Sequence, residues 1–123
     1  MKKVLVVDSS PVARRFVSYA LRLGDYLTFE AEDAIDALEK LSMMEPDAVL
    51  VEAHLPSMDG LTFARSVRNN FYFLDVPMAM LTAASSDDTE HEAREAGINL
   101  FLRKPITSHE LLAGIDSLFK ERT

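Results

Sequence analysis

Apolar positions along this chain switch between two patterns, short continuous runs and longer stretches of helical spacing. Val4-Leu5-Val6-Val7 is an apolar run without polar alternation, the pattern of a strand covered on both faces, and it stops at Asp8. Ser10-Pro11 follows as an N-cap and first-turn proline, after which Val12, Phe16, Val17, Ala20 and Leu21 recur at helical spacing until Gly24 closes the segment. The alternation then repeats. Tyr26 to Ala31 reads as a strand, Asp33 to Met43 as a helix with Ala34, Ile35, Leu38 and Leu41 inward, and Ala48 to Ala53 as a second apolar strand reaching Glu52. After a loop with Pro56 and Gly60 come a helix over about 61–69, a strand over 76–81, a helix over about 86–96, a strand over 99–102 and a last helix over 108–120.

Parallel strands must be joined by crossovers, and helices cover both faces of such sheets. The pattern therefore predicts an α/β fold, a doubly wound five-stranded parallel sheet flanked by five helices in a three-layer sandwich. Ligand chemistry in such sheets gathers at the carboxyl ends of the strands, near the point where strand order reverses. That rule selects Asp8, Ser9 and Ser10, then Glu52 to His54, then Thr82 to Ala84, and finally Lys104-Pro105. With no internal repeat, low-complexity segment or linker, the 123 residues are expected to form one domain over 1–123.

Composition narrows the function. Hydrophobic residues make up 48% and charged residues 27%, ordinary for a globular domain, and the absence of cysteine removes thiol catalysis and cysteine metal ligation. A net charge of −7 argues against direct binding of nucleic acid, which requires a clustered surplus of Lys and Arg. The run Val4 to Val7 is too short for a signal-peptide core and no stretch approaches the ~20 apolar residues that span a bilayer, so no membrane partner is expected and a cytoplasmic location is the default.

The predicted strand ends carry two carboxylates, a hydroxyl and a lysine followed by proline, and the segments around them resemble the receiver domains of response regulators in two-component signalling. Val4 to Asp8 is similar to that family's first strand and acidic turn, and Leu55-Pro56-Ser57-Met58-Asp59-Gly60 to its loop after the acceptor strand. Val76-Pro77 through Leu81-Thr82-Ala83 resembles its fourth strand with a switch hydroxyl, and Lys104-Pro105 its lysine, usually followed by a cis-proline bond. Four such segments stand in order, and the match runs almost from end to end of the chain. The resemblance implies a flavodoxin-like fold and a signalling role without enzymatic activity of its own. In the family, an aspartate ending the third strand accepts a phosphoryl group beside Mg²⁺, and the lysine and hydroxyl bind the new phosphoryl oxygens.

Two positions depart from that pattern. Glu52 stands at the acceptor position, and Ser9 replaces the second member of the acidic pair that would hold the metal. Mg²⁺ demands near-octahedral oxygen ligation, so Asp8 and Glu52 are expected to bind it weakly or not at all, and no cofactor is implied. Asp8 and Glu52 against Lys104 leave about one net negative charge at the site, which weakens the attraction for a divalent cation. The longer Glu52 side chain should reach into the phosphoryl position and pair with Lys104, and one carboxylate could satisfy Lys104 without recruiting Thr82.

The chain is thus expected to be a phosphorylation-independent receiver that docks on a signalling protein, a histidine kinase or a downstream target. The docking surface would be the face made by the fourth helix, fifth strand and fifth helix, or the cluster Phe71-Tyr72-Phe73-Leu74. Phe101 falls at the family's aromatic switch position and, without a hydroxyl, favours an inward pose. His54 reads first as an exposed residue at the mouth of the site; the alternative is a softer metal site with Glu52 and Asp8. His91 and His109 read as surface residues. The runner-up function is a conventional Mg²⁺-dependent phosphoswitch with residual activity. A flavodoxin-like electron carrier would need glycine in the segment Asp8 to Arg15, and an aspartyl-nucleophile phosphatase a second acid at Ser10.

Overall fold

A computed structural model describes residues 1–83 and 86–120. Its strands are β1 (Lys3–Val7), β2 (Leu27–Ala31), β3 (Ala48–Val51), β4 (Met78–Thr82) and β5 (Leu100–Arg103), all parallel in the order β2-β1-β3-β4-β5. The helices are α1 (Pro11–Leu23), α2 (Ala34–Met44), α3 (Gly60–Arg68), α4 (Asp87–Glu95) and α5 (Ser108–Lys120), with a 3₁₀ turn over Phe71–Phe73. This is the doubly wound five-stranded sandwich that the hydrophobic pattern predicts.

Successive strand residues face opposite sides, so each apolar run feeds two cores. Leu5, Val7, Val49, Val51, Met78 and Met80 pack against α2, α3 and α4, where Leu41, Phe63 and Ala93 are fully buried. Val4, Val6, Leu50, Ala79 and Leu81 pack on the other side against Leu21 of α1 and Leu111 and Ile115 of α5. Complete burial of one such large side chain is worth roughly 1.5–3 kcal/mol. Surface ion pairs such as Lys40–Asp36 contribute about 1 kcal/mol or less each, so the two apolar layers dominate the stability of the fold.

All five α-helices start on side-chain caps that close onto a backbone N–H: Ser10 onto Ala13, Asp33 onto Asp36, Asp59 onto Thr62, Ser86 onto Thr89 and Thr107 onto Glu110. Gly24 ends α1 with an ordinary negative φ. Its glycine serves packing, because a Cβ there would stand 2.5 Å from Leu112 Cδ2 on α5.

Several expected positions shift. Ile35 is 53% exposed; it lies about 100° round the helix from Ala34, and the inward stripe runs through Ala34, Ala37 and Leu41 instead. Val12 is 74% exposed and Phe16 partly so, leaving α1 apolar on its outward face as well, where Tyr19 and Leu23 continue the stripe. Tyr26 precedes β2 because its N–H bonds to Leu21 O, and its ring stacks on Phe119 at 5.8 Å while its hydroxyl bonds Asp116. β4 begins at Met78, beyond Pro77, which has no N–H for the ladder. No helix among the described residues is long and apolar enough to cross a membrane.

Gly60 fixes the loop after β3. Its N–H bonds Ala53 O at 2.8 Å, and a Cβ at this position would run into the Glu52 carbonyl oxygen. In an exposed helix Gly→Ala stabilises by up to about 1 kcal/mol. Here Gly60→Ala is expected to destabilise by about 1–3 kcal/mol, the cost of overpacking against backbone that cannot turn away. Urea unfolding checks the sign, and an unchanged or raised midpoint would show that the loop yields.

Candidate functional site

The sheet order turns back between β1 and β3, which opens a crevice at their carboxyl ends. Asp8 and Glu52 leave those two strands side by side, held by the bonds Asp8 N–H to Ala31 O (3.1 Å) and Glu52 N–H to Val7 O (3.0 Å). From the other direction, Lys104 N–H bonds Thr82 O at 3.0 Å, and the Lys104–Pro105 peptide is cis. Three strands thus converge on one ammonium.

Lys104 Nζ donates to Glu52 Oε2 at 2.7 Å and to Asp8 Oδ2 at 3.1 Å. The second oxygen of each carboxylate is also engaged: Asp8 Oδ1 accepts the Ser10 N–H at 2.9 Å and Glu52 Oε1 the His54 N–H at 3.1 Å. Asp8 and Glu52 are only 7% and 8% exposed. Burial alone would raise the Glu52 pKa, but hydrogen bonds from Lys104, the Thr82 hydroxyl and the His54 N–H, with the nearby ammonium charge, hold it below the ordinary glutamate value. Burial works to lower the Lys104 pKa, and the two carboxylates outweigh it and hold it above the ordinary lysine value. The pair is ionised across the physiological range.

The structure therefore gathers Asp8, Glu52, Thr82 and Lys104 into one connected cluster. Thr82 is fully buried beside the cluster and, with Lys104 and the His54 N–H, helps to hold the Glu52 pKa down. Ser9 stands exposed on the turn, and His54 sends only its backbone N–H inward while its side chain is exposed. The softer metal site suggested for His54 is not formed: among the described residues, no three His, Cys, Asp or Glu side chains gather as a ligand set. Phe101 is half-buried against the core under α2–α4, with the Arg103 guanidinium 5.4 Å from its ring centroid. Pro105 is exposed beside the cluster, and Ala84 lies outside the described residues.

Sequence reasoning missed Arg14. One turn into α1, its Nη1 clamps the Asp8 carbonyl at 2.7 Å while its Nε pairs with Glu30 at 3.2 Å, and Ser18 Oγ bonds the same carboxylate at 3.1 Å. The only signal was a cation four residues after the Ser10 cap, on the helix that leaves the acidic turn.

The sequence profile of the response regulator receiver domain matches residues 4–116. The chain belongs to that family. It is 34% identical over 119 residues to the chemotaxis protein CheY of Pseudomonas aeruginosa, covering 96% of both chains, and 33% identical to CheY-3 of Vibrio cholerae, covering 96% of this chain and 92% of that one. It is 29% identical to the phosphate regulon transcriptional regulatory protein PhoB of P. aeruginosa, of which it spans about half the length (52%). The fold superposes on V. cholerae CheY4 with a TM-score of 0.92 at 30% identity, covering 96% of this chain and 98% of that one. Receiver domains are two-component signalling modules that interact with kinases or downstream targets.

Lys104→Met keeps the stem and removes the charge, leaving two buried carboxylates face to face. Breaking a deeply buried pair costs about 3–5 kcal/mol, and with the Lys104 side chain 28% exposed a loss of about 2 kcal/mol is expected near neutral pH. In the parent, the lowered Glu52 pKa contributes stability above the ordinary glutamate value that disappears as the pH falls through the folded value. In the variant, burial and Asp8 push that pKa up instead, so protonation relieves the repulsion and the deficit shrinks toward about pH 5. Urea unfolding at neutral and mildly acidic pH reads this directly, and a pH-independent deficit would contradict the pairing.

Proposed function

We propose that this receiver works without phosphorylation, because the Glu52 carboxylate itself occupies the place between Lys104 and Thr82 that a phosphoryl group would take. The observation that carries this reading is the engagement of both Glu52 oxygens, Oε2 by Lys104 at 2.7 Å and Oε1 by the His54 N–H at 3.1 Å. Both oxygens of the carboxylate are thus engaged, and nucleophilic attack from Oε2 would require breaking a charge-assisted bond of 2.7 Å.

The residues present do not fit Mg²⁺ either. Both acids already hold an ammonium, and Ser9, where a second acid would complete an oxygen set, is neutral and exposed. Lys104 does the charge compensation that a metal would otherwise supply. The module then acts by presenting a fixed surface to a kinase or downstream target, either the face of α4, β5 and α5 or the segment Phe71–Leu74. Arg103 supports the former, since it covers Phe101 and pairs with Glu90 of α4 at 3.0 Å, tying β5 and α4 together beside the site.

The test is amide NMR of the chain with Mg²⁺ followed by beryllofluoride, a mimic of the aspartyl phosphoryl group. The parent is expected to show no saturable shifts at Asp8, Glu52, Thr82 or Lys104, while Glu52→Asp combined with Ser9→Asp gains saturable, Mg²⁺-dependent shifts that extend to Phe101. Saturable shifts in the parent that reach Phe101 would overturn the proposal in favour of a residual phosphoswitch.

A further inference from the structure

At the end of the sheet opposite Glu52, the segment after α3 displays two aromatic rings to solvent. Phe71 is 82% and Tyr72 89% exposed, packed edge to face with centroids 6.5 Å apart. The display is rigidly held. Asn70 Oδ1 caps the turn on the Tyr72 N–H, Arg68 Nη1 bonds the carbonyls of Phe73 and Leu74, and the rest of the guanidinium bonds Gly97 O and Asn99 Oδ1. Gly97, at φ +105°, leaves room for this, since a Cβ there would stand 2.5 Å from Arg68 Cγ. Beside the rings runs a groove of about 720 Å³ walled by Lys2, Pro46, Asp47, Leu74, Asp75 and Phe119, among others.

We propose that this groove and the Phe71–Tyr72 pair form a two-fold interface between two copies of this chain. A two-fold contact requires a surface complementary to itself, and a projecting aromatic pair next to a groove of its own supplies both halves. Opposite charges are present on this surface. Lys2, with its ammonium 5.0 Å from the Phe119 ring centroid, and Asp75 both line the groove, so each Lys2 can face Asp75 of the second copy, and Asp47 already accepts the Lys3 N–H at 2.7 Å. Two chains of net charge −7 repel, and this face, whose groove is lined by one lysine and two aspartates, is one on which they can meet; the first turn of α4, with Asp87, Asp88 and Glu90, is more acidic. The size predicts a weak dimer: four rings burying roughly 150–250 Å² each come close to the about 1,000 Å² at which specific interfaces begin.

The test is sedimentation equilibrium with amide NMR on the whole chain from micromolar to millimolar concentration. The mass is expected to rise toward a dimer, with concentration-dependent shifts at Lys2, 71–77 and Phe119. Phe71→Ser with Tyr72→Ser, both at exposed positions, should stay monomeric with unchanged thermal unfolding. Lys2→Asp should likewise stay monomeric, and adding Asp75→Lys should restore the dimer. A monomer at every concentration, a dimer that survives the double serine variant, a charge swap that restores nothing, or shifts centred on the outward face of α1 would each overturn the interface. Because the contact lies at the far end of the sheet from Glu52, none of these outcomes bears on the reading of that site.

Discussion

One ammonium group between two buried carboxylates sets the terms for the rest of the molecule. Desolvating three charges is unfavourable by several kcal/mol per ion, and their attraction offsets this only where geometry is good and every remaining lone pair is satisfied. Here each of the four carboxylate oxygens has a partner: Lys104 takes one on each acid, the Ser10 N–H the other on Asp8 and the His54 N–H the other on Glu52. The backbone around the cluster answers to the same need. Arg14 pins the turn after β1 through the Asp8 carbonyl, and Gly60 lets α3 start directly against the Glu52 carbonyl. Both act on main-chain atoms, so they fix where the carboxylates start from and leave the side chains to find Lys104.

Family membership and site chemistry point in different directions, and the difference comes down to one methylene and one missing charge. The family and the fold are those of a receiver, and within it Glu52 reaches Lys104 at 2.7 Å beside Asp8. With Ser9 neutral and turned to solvent, the cluster has the charge of two acids against one lysine.

The sequence made the architecture and the site's location legible because both follow from local signals. Continuous apolar runs mark strands buried on both faces, and in a doubly wound sheet the residues after those runs must share one end. What escaped was whatever depends on contacts between distant segments. Ile35, Val12 and Phe16 are apolar at nearly helical spacing, and only the position of the sheet decides that they face outward. Tyr26 looks like a strand residue and is held instead by the end of α1 and by α5. The 3₁₀ turn rests on Arg68 reaching Gly97, an agreement between residues 29 apart that no local pattern announces.

The bond between Lys104 and Asp8 joins residues 96 apart, and the one between Lys104 and Glu52 joins residues 52 apart. Contacts of such long sequence separation form late, after the loop-closure entropy of every intervening crossover has been overcome. The cluster is consequently a report on completion. A chain emerging from synthesis holds Asp8 and Glu52 without their lysine until β5 arrives, and any partial unfolding that releases the β5 edge of the sheet removes Lys104 from the site. A partner that recognised the closed cluster would be selecting for finished molecules.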